Sequence, residues 1–127
     1  MESTQDEELF SYILYNIQIT SAYFNRYKFA NKNLIIIEED MTKRCLKLKY
    51  YMRNLIMNVN HNRIDLFDII DAREVIFSLL RSLNNLKYEF IATFKSDRIL
   101  VSRVSKVIDR CMENYQSYYI MLKKKCK

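Results

Sequence analysis

Residues 71–94 read DAREVIFSLLRSLNNLKYEFIATF. Within them Ile76, Leu79, Leu80, Leu83, Leu86, Phe90, Ile91 and Phe94 recur at spacings that keep them on one face of a helix of about six turns. Asp71 and Glu74 stand three apart, a capping-box pattern, so a buried helix is expected over about residues 72–93. Nothing in the stretch would break it, because the chain contains neither Gly nor Pro.

That absence extends the reading to all 127 residues. Without glycine there is no P-loop and no dinucleotide-binding fingerprint. Without Gly and Pro the tight turns of sandwiches and barrels lack their usual residues. Half of the residues are hydrophobic, which argues for a folded chain, and the length fits one domain, residues 1–127. The abundance of Ile, Lys, Asn and Tyr indicates an A+T-rich genome. The expected class is all-α, a compact bundle of six to seven helices around a central hydrophobic helix.

Working outward, Thr4 and Glu7 form a capping box for a first helix, and acids fill its first turn, where the helix dipole favours them. Leu9, Phe10, Ile13, Leu14 and Ile17 make its apolar stripe. Asn25 to Asn33 reads as a loop. The next helix begins near Leu34, and Met41, Cys45, Leu48, Met52 and Leu55 form a clean seam along it. Asn58 to Asn62 reads as a second loop, and Ile64 to Ile70 as a short apolar helix or turn. Lys95-Ser96-Asp97 is a tight connection in which Ser96 or Asp97 caps the helix that follows. Ile99, Leu100, Val104, Val107, Ile108 and Cys111 stripe that helix. Tyr115 to Leu122 reads as a last, separate aromatic helix before a lysine tail.

Charge is uneven. Residues 1–40 hold seven acids and three bases, whereas residues 41–127 hold 18 bases and eight acids. A basic surface attracts nucleic acid or anionic lipid, but a solvated helical surface with a lysine tail accounts for the same numbers, and nucleic acid is not the expected partner. Cys45, Cys111 and Cys126 are widely spaced and odd in number, which suggests reduced thiols. With His61 as the only histidine, no zinc-type ligand set is visible, and neither a metal nor a cofactor is expected. His61 lies among asparagines with no nucleophile at a recognisable spacing, so an enzyme is not expected. The longest uncharged run, Leu9 to Asn25, is 17 residues and contains Asn16, Gln18 and Thr20, too short and polar to span a bilayer.

Residues 66–77, LFDIIDAREVIF, resemble the first homology motif of the Bcl family of apoptosis regulators. In that family a Leu-Phe pair precedes an Asn-Trp-Gly-Arg turn and a long central helix. Ala72-Arg73 stands where the family has Gly-Arg, and Val75 and Phe77 follow as they do there. Downstream, Leu100-Val101-Ser102-Arg103-Val104 is similar to the opening of the family's sixth helix, and Tyr118-Tyr119-Ile120 falls where the family has Pro-Trp-Ile. The likeness covers roughly residues 64–122, with a weaker echo in the first helix. It departs from the family at Asp71, which replaces tryptophan, at Ala72, and in lacking a Gly-Gly-Trp and a third motif. Such erosion and the codon bias resemble viral, poxvirus-type members.

The resemblance implies an inhibitor of apoptosis in the cytoplasm of a host cell. It would hold the amphipathic death helix of pro-apoptotic Bcl proteins in an apolar groove. Arg73 is carried over as the arginine that pairs with the ligand's aspartate, a bidentate bond suited to guanidinium. The other reading of Arg73 is a surface residue paired to Glu74 or Asp71. Leu66, Phe67, Ile70 and Val75, with Met52 and Leu55 from the preceding seam, are the candidate groove walls or else plain core. The resemblance also implies a membrane anchor beyond Lys127, directed to the mitochondrial outer membrane, and admits a homodimer. A Bcl-fold adaptor that inhibits innate-immune signalling through a different face is the alternative.

Overall fold

The computed structural model describes residues 2–24 and 31–126, and these are helical almost throughout. Four helices follow one another: α1 (Glu2–Phe24), α2 (Lys32–Asn60), α3 (Leu66–Thr93) and α4 (Arg98–Lys125). The all-α class therefore holds, but the expected six to seven helices are four long ones among the described residues. Two expected boundaries do not exist. The Asp71–Glu74 pair lies inside α3, and Tyr115 lies inside α4. The turn that the family likeness implied at Asp71–Arg73 is likewise unbroken helix. Thr4 falls inside α1, not ahead of it. Residues 25–30 of the expected first loop lie outside the described residues.

The true helix starts use short polar side chains. Asn31 accepts hydrogen bonds from the backbone N–H of Asn33 and Leu34, opening α2. Asp65 does the same for Phe67 and Asp68, which places the cap of α3 six residues before Asp71. Asp97 accepts from Leu100 N–H and is the residue of the Ser96–Asp97 pair that caps α4. Between α2 and α3 the chain needs a left-handed residue, and Asn62 takes it with φ of 57°. Asparagine is the usual substitute where a chain has no glycine.

The expected seam of α2 is buried at every position, Met41, Cys45, Leu48, Met52 and Leu55. It meets Ile69, Ala72, Ile76, Leu79, Leu83, Leu86 and Phe90 of α3, Phe10, Ile13 and Ile17 of α1, and Val104, Ile108, Cys111 and Tyr115 of α4 in one core. Leu9 and Leu14 are only partly buried and flank that core. α3 buries one face, so it is one wall of the bundle and not a central helix surrounded by others. α2 packs on α1 and on α3, and α3 packs on α4; α1 meets α4 over a much thinner contact. α1 and α4 run antiparallel, as the pairs Asp6–Lys125, Asn16–Tyr118 and Thr20–Cys111 require, while Asp40–Ser82 joins α2 to α3 and Lys87–Asp109 joins α3 to α4. The Asp6 carboxylate, itself buried, pairs with Lys125 and ties the first turns of α1 to the end of α4.

Candidate functional site

Two surfaces carry unspent chemistry. The first lies on α3. Leu66, Ile70, Arg73 and Phe77 stand at i, i+4, i+7 and i+11 and share one stripe of the helix, on the side that faces α4. Leu66, Ile70 and Phe77 are exposed. Phe77 reaches across to the ring of Tyr119 on α4, centroid to centroid 6.0 Å. Arg73 is different from its neighbours: its Nε is buried and has no hydrogen-bond partner. Its guanidinium lies 3.7 Å from the Glu74 carboxylate, whose side chain is 64% exposed, so that pair is weak. A desolvated guanidinium N–H without an acceptor is an unfavourable arrangement in the free protein.

The other residues expected at this site are elsewhere. Met52 and Leu55 are fully buried and pack into the bundle core. Val75 is half-buried on the opposite flank of α3, towards α2, on the same side as Ser82. Phe67 is 78% exposed and projects beside the stripe. The structure thus brings together Leu66, Ile70 and Arg73, adds Phe77, and leaves the α2 residues inside.

The second surface is the seam between α1 and α4. Its floor is a chain of polar contacts. Asn16 Nδ2 donates to Tyr118 Oη at 3.4 Å, Thr20 Oγ1 donates to Asn16 Oδ1 at 3.0 Å, and Thr20 Oγ1 lies 3.5 Å from Cys111 Sγ. Above this floor lies a groove of about 520 Å³ walled by Tyr12, Tyr15, Ile19 and Tyr23 from α1 and by Val107, Arg110 and Asn114 from α4. The four α1 residues stand at spacings of three, four and four, a second apolar stripe beside the core stripe. A helix with one buried face does not need a second one, and that surplus was the sequence signal for this groove. Glu7 and Glu8 border Tyr12 and Tyr15 at one end of it.

His61 is an exposed C-cap residue of α2. Among the described residues no group of three or more His, Cys, Asp or Glu side chains is placed to hold a metal ion. Burial pushes the Cys45 and Cys111 thiols up, which keeps them protonated and poorly reactive. Among the same residues no helix is long and apolar enough to cross a membrane. No protein family, curated protein or solved structure matches this chain.

Proposed function

We propose that this chain is a helix receptor of the Bcl survival type, an inhibitor of apoptosis that holds the amphipathic death helix of a pro-apoptotic partner along α3. The observation that carries the reading is Arg73. Its buried, unbonded Nε sits within a stripe of exposed Leu66, Ile70 and Phe77. An amphipathic helix offers apolar anchors at i, i+3 or i+4 and i+7, and a carboxylate among them supplies the acceptor that Arg73 lacks. The resemblance of residues 66–77 to the family's first motif points to the same arginine. Targeting to the mitochondrial outer membrane belongs to this reading as well.

The test is a titration of death-motif peptides by fluorescence anisotropy, with sub-micromolar binding expected. Removing one partner of a desolvated charge pair costs about 2–5 kcal/mol, so Arg73→Ala should weaken binding at least about twentyfold. Replacing the peptide's aspartate by alanine should lose a similar amount, and the two changes together should not add. An Arg73→Ala protein that folds normally and binds every peptide unchanged would overturn the assignment.

A further inference from the structure

The groove between α1 and α4 follows from the thin contact between those helices. They meet through the small side chains of Asn16, Thr20 and Cys111, while the rings of Tyr12 and Tyr15 stand outside the contact, 64% and 62% exposed. A trough of about 520 Å³ is left above the meeting line. Pockets that hold small molecules are about 300–1,000 Å³, mostly apolar and aromatic, with a few polar groups that fix orientation. The trough has that size and that composition.

Its unspent polar groups are donors. Arg110 lines it and makes no ion pair among the described residues. The Asn114 amide has no hydrogen bond among the same residues. Tyr118 Oη accepts from Asn16, and its own hydrogen has no acceptor there. No carboxylate lines the trough to take these donors up. Spare donors around a guanidinium call for an acceptor-rich anion. The contacts Asp6–Lys125, Asn16–Tyr118 and Thr20–Cys111 set the register and place Arg110 level with α1 just past Thr20, near the Tyr23 end. From Tyr12 to Tyr23 the trough runs about 16 Å at 1.5 Å per residue. Glu7 and Glu8 border the Tyr12 end. An anion is drawn to the Arg110 end and repelled from the other, so the two ends fix the direction of a ligand.

We propose that the α1–α4 groove is a binding site for a small amphiphilic anion, an aromatic ring system that carries a carboxylate or sulfonate. The acid group sits on Arg110 with Asn114 beside it, and the rings lie between Tyr15, Ile19 and Val107. Tyrosine walls favour a ring system over a plain acyl chain, because aromatic pairs gain from offset or edge-on packing beyond the area they bury. The floor agrees: Asn16 and Thr20 are polar, and a methylene chain laid on them gains little. The α3 stripe is a separate surface, so this proposal does not depend on helix binding there.

The probe is anilinonaphthalenesulfonate, an aromatic sulfonate that fluoresces on leaving water, titrated against the whole chain. Binding should saturate with a dissociation constant below about 100 µM and weaken as salt is raised, because Arg110 is exposed and its charge is screened. Arg110→Gln keeps a donor but not the charge. It should weaken binding about fivefold while circular dichroism shows the same helicity. Uncharged N-phenylnaphthylamine should bind both proteins alike. Bound dye should also slow alkylation of Cys111, which lines the groove, several-fold and leave Cys126 at the end of α4 unchanged. Dye binding that ignores both Arg110→Gln and salt, or that leaves Cys111 unprotected, would overturn the proposal. So would binding that Phe77→Ala abolishes, because the dye would then lie on the α3 stripe.

Discussion

The seam between α2 and α3 and the seam between α1 and α4 close the same bundle with different materials. The first is apolar from end to end: Leu48, Met52 and Leu55 on one side, Ile69, Ala72, Ile76 and Leu79 on the other, each essentially without exposure. A polar clasp lies at its edge, where Asp40 accepts from Ser82. The second is held by an asparagine, a threonine, a cysteine and a tyrosine, and its outer rim is left to exposed tyrosines. Hydrophobic burial is roughly proportional to area and fixes no partner, whereas a polar floor specifies register at little net gain. The α2–α3 seam is therefore where stability resides. The α1–α4 seam is where the bundle has surface left to offer.

Truncation separates them most sharply. Ile76→Ala removes a fully buried side chain and should cost about 2–5 kcal/mol. Tyr118→Phe removes only the acceptor of the long Asn16 bond and should cost about 0.5–1.5 kcal/mol. Urea titration checks both, with the midpoint shifting and the slope unchanged. Equal losses would show that the two seams are not different in kind.

Thiol labelling probes how readily each seam opens. Cys45 and Cys111 are both buried, but Cys45 belongs to the thick α1–α2 packing and Cys111 sits under the thin α1–α4 contact. Local openings sample weakly packed regions first. Cys126, half-buried at the end of α4, should react first, Cys111 next by several-fold, and Cys45 last. Mass spectrometry of timed alkylation gives the order, and a Cys45 that reacts before Cys111 would reverse the ranking of the seams.

Much of the thick seam was legible from spacing alone. Every residue of the Met41–Leu55 stripe is buried, because a four-and-three repeat on a long helix has only one face to hide. The missing helix breaks were not legible for a physical reason. Asp71 and Glu74 have the spacing of a cap, yet a cap needs the chain to be extended ahead of it, and here the chain enters α3 at Asp65 after the left-handed turn of Asn62. Asp71 and Glu74 are simply two exposed acids in mid-helix. For Tyr115 the error has the other sign: its ring fills the core, so an aromatic cluster taken as a new helix is the interior of an old one. Of the expected site, Leu66, Ile70 and Arg73 share a surface, while Met52 and Leu55 could not be told from core by periodicity, since walls and cores obey the same repeat. The tyrosine stripe of α1 was visible as letters, but which of two stripes faces inward depends on the other helices.

The smallest expected effect concerns the clasp of the closed seam. Asp40 Oδ2 accepts from Arg44 Nε at 2.9 Å and from Ser82 Oγ at 2.7 Å. The Arg44 hydrogen bond, helped by Ser82 and by the charges of Arg44 and Lys43, outweighs partial burial and holds the carboxyl below its usual range. A depressed carboxyl contributes stability that is present above its unfolded pKa of about 4 and is lost as pH falls through the lower folded value. The side chain is 43% exposed, so solvent screening leaves the contribution at about 0.5–1 kcal/mol. Asp40→Asn should therefore be slightly less stable than the parent at pH 7, and the gap should close in the acid limb of the urea midpoint against pH. Asp68, on the same seam, should behave oppositely. Burial, with Asp65 and Asp71 nearby, pushes its carboxyl up, so its charged form opposes folding once the pH exceeds about 4. Asp68→Asn should match or exceed the parent at pH 7 and lose that advantage on acidification. Curves that stay parallel on acidification for Asp40→Asn would show that the clasp contributes through shape alone and that its charge is idle.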